Sequence, residues 1–387
     1  MKSKFYSLAF VAGMSILTAC SSDDNNDNDG NGNGNEIENG TILKGTITSD
    51  VTLAAGNTYK LSGEYIVEEG ATLHIEEGVK IIAVYDDIAD YILVKQGGKI
   101  NAVGTPDKPI VMTSEKEEPG AWGGIHICGR AHTNAEGGKG SSEIGGAVYG
   151  GNDDADNSGT LQYIRLEYTG FAFDEEHEAN GISFYGVGNG TIVDHCQAYK
   201  GSDDGFEFFG GSVNVSNLVA VSCSDDSFDW TEGWNGKGTN LVAYQEAEST
   251  LGYDCDCLME CDNNGSNNAA TPVAHPVLKN LILVGNGGSK QGIRLRAGTE
   301  VEIDNAKICG KGQPLTVETA LTENALKNGT SKLTNITLTS ELSSKEGIYT
   351  HADFIAVTSN KVNANLSYSS FEDIRKECSW MNGSWVK

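Results

Sequence analysis

Proline is scarce in this sequence, with 6 residues among 387, and the 27 lysine and arginine residues are outnumbered two to one by 54 aspartate and glutamate residues. The formal net charge of −27 would repel a phosphate backbone or an anionic membrane face, so we expect no nucleic-acid partner. Such a surface suits divalent cations and neutral or cationic partners, or it serves solubility alone.

Regular helical patterns are also missing. No Gly-X-Y period runs through the 49 glycines, which excludes a collagen-like chain. No segment shows the apolar period of a long amphipathic helix, and Asn-Gly hairpin signals are few, which argues against β-propellers and β-sandwiches. Glycine at about twice its usual share indicates many tight turns instead.

The first residues have the features of a signal peptide. Two early lysines precede an apolar stretch over residues 8–17, which is too short to span a bilayer. The quartet LTAC at residues 17–20 resembles the lipobox of bacterial lipoproteins. This resemblance implies removal of residues 1–19, acylation of Cys20 and an anchor in the outer membrane, with exposure at the cell surface left open.

Residues 20–40 contain almost no apolar side chains and many acidic and asparagine residues. Such a segment cannot bury enough apolar surface to fold, so we predict a disordered acidic tether there and one folded domain over residues 41–387. Acidic residues directly after an acylated cysteine resemble surface-export signals of some Gram-negative lipoproteins. A plain solvated spacer fits the same composition equally well.

Two short patterns recur in the predicted domain. The first has apolar residues at positions 1, 4 and 6, and in five copies an asparagine precedes the second apolar residue. The second reads small, apolar, variable, apolar, and its copies are 22 to 24 residues apart where no loop intervenes. The asparagines of the first pattern are Asn217, Asn240, Asn280, Asn305 and Asn335.

Short strands with glycine-rich corners at this period predict a solenoid. With paired strands about 4.8 Å apart, each circuit of 22 residues closes one coil of a parallel β-helix. The repeated asparagine then occupies the same corner of successive coils, where its amide can bond to the asparagines above and below. We therefore predict an all-β, single-stranded parallel β-helix with an asparagine ladder.

Four segments carry a family resemblance, which covers about residues 41–387. They resemble the right-handed parallel β-helix lipoproteins of Gram-negative bacteria, a family without one characteristic function. The resemblance implies a right-handed coil with capped ends, and we expect Phe371, Trp380 and Trp385 to cover the open end. The four segments are GGKINAVGTPDKPIVMTS, AWGGIHICG, GTLQYIRLEYTG and GSDDGFEFFGG.

The variable position of the second pattern should point outward, because neighbouring side chains alternate along a strand. This predicts an outer column of His126, Ser183, Glu207 and Asp229, with Arg294 further along. Stacked carboxylates about 5 Å apart repel each other, so one would take up a proton or a cation would lie between them. Glu207 and Asp229, with Arg294, are our candidates for catalysis of glycan cleavage.

Further side chains near this column are candidates for ligand binding, provided that the aromatic ones are exposed. An alternative is that acidic columns merely solvate the surface of an acidic protein. Pectin-cleaving hydrolases of this fold have a Gly-His-Gly turn, which is absent here, and a lyase needs a base such as Arg294. The predicted ligand-binding residues are His126, Tyr185, Phe209, Trp230, Trp234 and Arg296.

Four aspartates, Asp203, Asp204, Asp225 and Asp226, occupy the corners before two successive strands. An aspartate at such a position can cap a turn through its own backbone. The stacked pairs could instead bind Ca²⁺ together with backbone carbonyls. Both alternatives stay open at the level of sequence, and no other cofactor is indicated.

Eight cysteines follow Cys20, and an exported protein can form disulfides. Cys255, Cys257 and Cys261 lie close together, and we expect a local disulfide there rather than a soft-metal site. The scattered histidines give no zinc-ligand spacing.

The sequence favours a lipid-anchored module that binds a glycan or another surface partner. The alternatives are a polysaccharide hydrolase or lyase that uses the outer acidic column, and an adhesin or structural surface protein.

Overall fold

The computed structural model describes residues 35–86, 88–173 and 177–387. The signal peptide, Cys20 and most of the predicted tether lie outside the described residues. Within the described part, the chain winds into a parallel β-helix, and strands of successive coils pair in register. This confirms the predicted fold class. None of the described helices is long and apolar enough to cross a membrane.

The elements are short, as the patterns predicted. Helices α1 to α4 are Glu248–Leu251, Ala320–Asn328, His351–Ala356 and Phe371–Glu377. Strands β1 to β9 are Asn35–Ile37, Ile42–Ile47, Val51–Leu53, Thr58–Val67, Thr72–Ile75, Lys80–Ala83, Tyr91–Val94, Lys99–Val103 and Ile110–Ser114. Strands β10 to β18 are Ile125–Cys128, Gly140–Ser141, Val148–Tyr149, Gly159–Glu167, Ile182–Tyr185, Ile192–Tyr199, Phe206–Phe209, Asn214–Val221 and Phe228–Thr231. Strands β19 to β27 are Lys237–Tyr244, Met259–Cys261, Val277–Val284, Gln291–Leu295, Glu302–Cys309, Gln313–Val317, Lys332–Leu338, Ser343–Ser344 and Lys361–Val362.

The strands form three faces. The first face begins with the second halves of β2 and β4 and continues through β7, β10, β14, β16, β18, β20, β22, β24 and β26, paired in that order. The long strand β13 pairs with β8 through its first half and with β9 through its second half. From β13 onward, each long strand therefore contributes its first half to the second face and its second half to the third.

The predicted asparagines make the bend in five of these long strands, and Tyr163 and His195 occupy the same position in β13 and β15 with a positive φ. Asn217, Asn240, Asn280, Asn305 and Asn335 all have a positive φ, between 55° and 63°. Asparagine tolerates this left-handed conformation better than most residues, which explains its recurrence at the corner. Side-chain hydrogen bonds connect successive coils. Asn240 Nδ2 donates to Asn217 Oδ1 at 2.8 Å, Asn280 to Asn240 at 3.0 Å and Asn305 to Asn280 at 2.8 Å. The predicted ladder is confirmed from Asn217 to Asn305, whereas Asn335 donates to Asp304 at 2.6 Å.

The core is a stack of inward-facing side chains. Phe206 and Phe228, on adjacent coils, stack with ring centroids 5.6 Å apart, and Phe184 and Phe208 stack at 5.1 Å. The two similar stretches that contain Phe206 and Phe228 are thus successive rungs of one scaffold. Their acidic residues consequently lie on one face, one above the other.

The C-terminal segment corrects a prediction. Trp385, Trp380 and Phe371 pack on the outside of the third face, in one cluster with residues such as Val219 and Ile282, so none of the three covers the open end. The segment runs back along the coils until Lys387 bonds to Gln197. The apolar outward residues of the third face explain this course, because they need a cover. The last coils are closed by Leu342, Tyr349 and Phe354, which are buried in the central core.

Two further expectations differ from the structure. Strand β1 lies within the segment predicted to be a disordered tether, where Glu36 and Ile37 pair with Thr52 and Leu53. All eight cysteines of the described residues are buried free thiols, so the disulfide expected near Cys255 is not present in them. Cysteine is tolerated there as a small apolar side chain.

Candidate functional site

The first face carries the predicted outer column. Strand pairing places His126 beside Ser183, Ser183 beside Glu207, and Glu207 beside Asp229. The next coil adds Glu260, which lies between Asp229 and Arg294 and which sequence analysis missed. Its pattern, Met-Glu-Cys, lacks the small residue and aromatics that marked the neighbouring rungs.

Loops from other coils close over the middle of this column and leave an acidic cavity of about 200 Å³. Every lining residue identified among the described residues is an aspartate or a glutamate. Two of them, Glu143 and Glu178, come from inserted loops and carried no sequence signal. The lining residues are Glu143, Glu178, Asp203, Asp204, Glu207, Asp225 and Asp229.

Two of the four corner aspartates cap the following coil. Asp204 Oδ1 accepts a hydrogen bond from the Asp226 amide at 2.8 Å, and Asp226 Oδ1 accepts one from the Cys257 amide at 2.6 Å. Asn180 begins the series by accepting from the Asp204 amide at 3.2 Å. Capping of backbone amides therefore accounts for one carboxylate oxygen of Asp204 and one of Asp226. Asp203 and Asp225 do not belong to this series.

The acidic ligand atoms form overlapping groups along the axis of the coil. In each group of three residues, one ligand atom from each lies within 4.8 Å of the others. Asp204 is shared by the first and second groups, and Asp229 by the second and third. The three groups are Asp203, Asp204 and Asp225; Asp204, Glu207 and Asp229; and Asp226, Asp229 and Glu260. Oxygen donors at this spacing are the ligands that Ca²⁺ prefers.

Burial and mutual repulsion make these carboxyls weak acids. Burial, with the charges of Asp225 and Glu178, raises the pKa of Asp203 to about 8. Burial also raises the pKa of Glu143 to about 7 and that of Asp225 to about 6. The pKa values of Glu207 and Asp229 are also raised well above their usual range, by burial first and then by neighbouring carboxylates. The cavity thus requires protons or a cation at neutral pH.

Some of these oxygens have no donor. Asp203 is only 8% exposed and lines the cavity, and it accepts from the backbone amide of Asp204 rather than from a donor side chain of the described residues. Asp229 Oδ1 is buried without a hydrogen-bond partner in the described structure. Glu207, in contrast, accepts from Asn180 Nδ2 at 2.6 Å. A buried polar atom without a partner is costly, and here it faces a space large enough for a ligand.

The predicted arginines are engaged by acidic neighbours. Arg294 bonds to Glu260 at 2.8 Å and to Glu318 at 3.3 Å. Arg296 bonds to Asp262 at 2.7 Å and also to Glu260. The guanidinium groups therefore balance the lower end of the acidic column. Neither is a free base or a free neutraliser for an acidic sugar, which weakens the lyase alternative.

The predicted sugar-stacking rings are not exposed. Trp230 and Trp234 are 1% exposed and lie inside the coil, so the condition placed on them is not met. Phe209 is also buried, stacked on Tyr185 with centroids 4.4 Å apart beneath the inserted loop. The pattern of alternation placed Phe209 outward correctly, but it could not show that a loop covers this position.

His126 is likewise buried. Its Nε2 lies 2.7 Å from the carbonyl oxygen of Gly123, and burial lowers its pKa to about 4. Its ring lies between Tyr91 and Tyr185, both of them buried. His126 and Tyr185 are therefore parts of the covered upper end of the column, whereas the cavity begins at Glu207.

Residues 45–386 match the profile of a family described as the pectate-lyase-like β-helix domain. The chain belongs to this family. No curated protein and no solved structure matches the chain significantly. Membership of the pectate-lyase-like β-helix domain family agrees with the parallel coil and is compatible with a polysaccharide-related or surface role.

Proposed function

We propose that this protein is a lipid-anchored glycan-binding module of the cell envelope, and that its acidic cavity holds a Ca²⁺ ion that contacts sugar hydroxyls. One observation carries the proposal: seven carboxylates line a single cavity of about 200 Å³. Asp203 in it is 92% buried and receives no bond from a donor side chain of the described residues.

The bound cation is what allows an acidic cavity to bind a glycan. Two unit charges about 5 Å apart repel by about 3 kcal/mol at an effective dielectric constant of about 20. A divalent ion bound by Asp204, with Asp203 and Asp225 from one group of ligand atoms and Asp229 from the next, reverses this repulsion and keeps coordination positions for water or hydroxyl oxygens. The lipobox-like residues at Cys20 support the envelope location.

Calorimetric titration with Ca²⁺ alone tests the first step. We expect saturable binding, which Asp203→Asn weakens at least tenfold and which Glu341→Gln, at an exposed acidic residue, leaves unchanged. A glycan array probed with and without EDTA tests the second step. Absence of Ca²⁺ binding, or glycan binding that persists in EDTA, would contradict the proposal.

Glycoside hydrolysis is a second candidate, favoured by one pair. The pKa values of Asp203 (about 8) and Asp225 (about 6) differ, and their ligand atoms lie within 4.8 Å. A protonated and an ionised carboxyl at close range can act as acid and nucleophile. Release of reducing ends from glycans that bind, lost in both Asp203→Asn and Asp225→Asn, would establish it; binding without turnover would exclude it for those glycans.

A further inference from the structure

A second cavity lies on a different side of the coil, between the asparagine ladder and the C-terminal segment. Its volume is about 300 Å³. Asn240, Asn280 and Asn305 line one wall, and Trp380 lies on the other. Because it adjoins the corner between the second and third faces, it shares no residue with the acidic cavity of the first face.

The ladder presents unused hydrogen-bonding groups to this groove. A carboxamide has two N–H donors and two acceptor positions on its oxygen. Bonds along the ladder use one N–H and one acceptor position of Asn280, between Asn240 and Asn305. Since Asn280 and Asn305 are exposed, a donor and an acceptor remain at each rung, about 4.8 Å from the next.

The opposite wall supplies an aromatic ring. Four of the five tryptophans, all within the described residues, are at most 1% exposed, whereas Trp380 is half-buried. The charged groups of the groove, Lys307 and Glu377, form an ion pair with each other. The groove thus offers a ring and paired donors and acceptors without net charge.

We infer that this groove binds a neutral saccharide, with the ring of Trp380 against a sugar face and the amides of Asn280 and Asn305 on its hydroxyls. Amphipathic rings and fixed polar groups together orient such a ligand. An acidic saccharide is disfavoured because the formal charge of the protein is −27. This site goes beyond the proposed function, since it needs neither Ca²⁺ nor the acidic cavity. Two sites on one chain would also increase avidity for a polymer.

Tryptophan fluorescence gives a direct test, because Trp380 should dominate quenching by acrylamide. Linear neutral hexasaccharides of glucose, mannose and xylose are the probes, and hexagalacturonate is the acidic comparison. We expect at least one neutral probe to protect the full-length protein from quenching in a saturable way, and hexagalacturonate to give no protection.

Variants separate this site from the first one. By calorimetry, Trp380→Ala should weaken binding of the neutral probe at least tenfold, Trp380→Phe should weaken it less, and Asn305→Ala should weaken it about threefold. Asp203→Asn and EDTA should leave it unchanged, so that failure here is distinct from failure of the Ca²⁺ proposal. The inference is overturned if no neutral probe protects Trp380, if Trp380→Ala binds as the wild type does, or if hexagalacturonate binds instead.

Discussion

The asparagine ladder and the acidic column are built alike, with one side chain per coil at a fixed position, yet their chemistry is opposite. Each amide both donates and accepts, so Asn240 can bond to Asn217 and to Asn280 at once. An ionised carboxylate only accepts, so Glu207 and Asp229, paired on neighbouring coils, cannot bond to each other. The amides of the ladder therefore bond to one another, whereas the carboxylates of the column need a proton or a cation between them.

Two aspartates show that donors decide the difference. Asp194, at the start of the ladder, accepts from Asn217 at 2.7 Å and Ser216 at 2.8 Å, and pairs with His195 at 2.9 Å. Although burial opposes it, these contacts hold the pKa of Asp194 well below its usual range. Asp229 lies among carboxylates, and burial and their charges raise its pKa. An aspartate is therefore a stable anion at the start of the ladder, whereas in the acidic column it holds a proton or a cation.

The largest effect should come from placing an amide in the acidic column. We expect Asp229→Asn to lower the Ca²⁺ affinity at least 100-fold, because it removes a charged ligand shared by two groups of oxygens. Without Ca²⁺, the same change should raise the free energy of unfolding at pH 8 by about 1–2 kcal/mol, since it removes a repelled carboxylate. Calorimetry and urea unfolding measure the two effects.

The matched control is Asp194→Asn, which makes the same substitution where donors surround the carboxylate. It should destabilise the protein by about 1–2 kcal/mol at pH 8, because charge-assisted bonds are lost, and it should leave Ca²⁺ binding unchanged. If both variants change the free energy of unfolding in the same direction in the absence of Ca²⁺, the ladder and the acidic column do not differ as described.

Breaking the ladder should have the next largest effect. Asn240→Ala removes two side-chain hydrogen bonds. It also places alanine, which has a Cβ but no polar group, at a φ of 60°. We expect a loss of about 2 kcal/mol in the free energy of unfolding. Asn240→Gly removes the same bonds without the conformational penalty and should lose about 1 kcal/mol less. If the two variants are equally stable, the positive φ contributes nothing at this corner.

The sequence predicted the ladder and most of the column, because both repeat at the period of the coil. Asn217 and Asn240, or Glu207 and Asp229, could be aligned by spacing alone. It could not predict the cavity, because Glu143 and Glu178 come from loops that follow no period. The same loops bury Phe209. Trp380 packs on the third face because that face is apolar, and this property appears only when successive coils are stacked.

The pH dependence of stability tests the acidic cavity without any mutation. Asp203, with a pKa of about 8 when folded, holds a proton that the unfolded chain has already released, so the stability from this group is present at low pH and is lost as the pH rises through 8. Without Ca²⁺, we expect the free energy of unfolding to fall by up to about 1.4 kcal/mol per pH unit between about pH 5 and pH 7, and to level off above about pH 8. Asp225, whose pKa is raised only to about 6, should add less. Saturating Ca²⁺ should make the free energy of unfolding less dependent on pH. If the free energy of unfolding rises with pH without Ca²⁺, Asp203 does not hold a proton in the folded protein.

The smallest effect should come from the reverse exchange, an acid in the ladder. Asn240→Asp keeps an acceptor for Asn280 but loses the donor to Asn217, so that two oxygens face each other across one coil. Because this rung is half-buried, we expect a loss of only about 1 kcal/mol at pH 7. Below about pH 4, the protonated carboxyl can donate to Asn217 again, and the difference from the wild type should shrink. Urea unfolding at pH 7 and pH 4 measures this. A difference that grows on acidification would mean that hydrogen-bond donors are not what separates the ladder from the column.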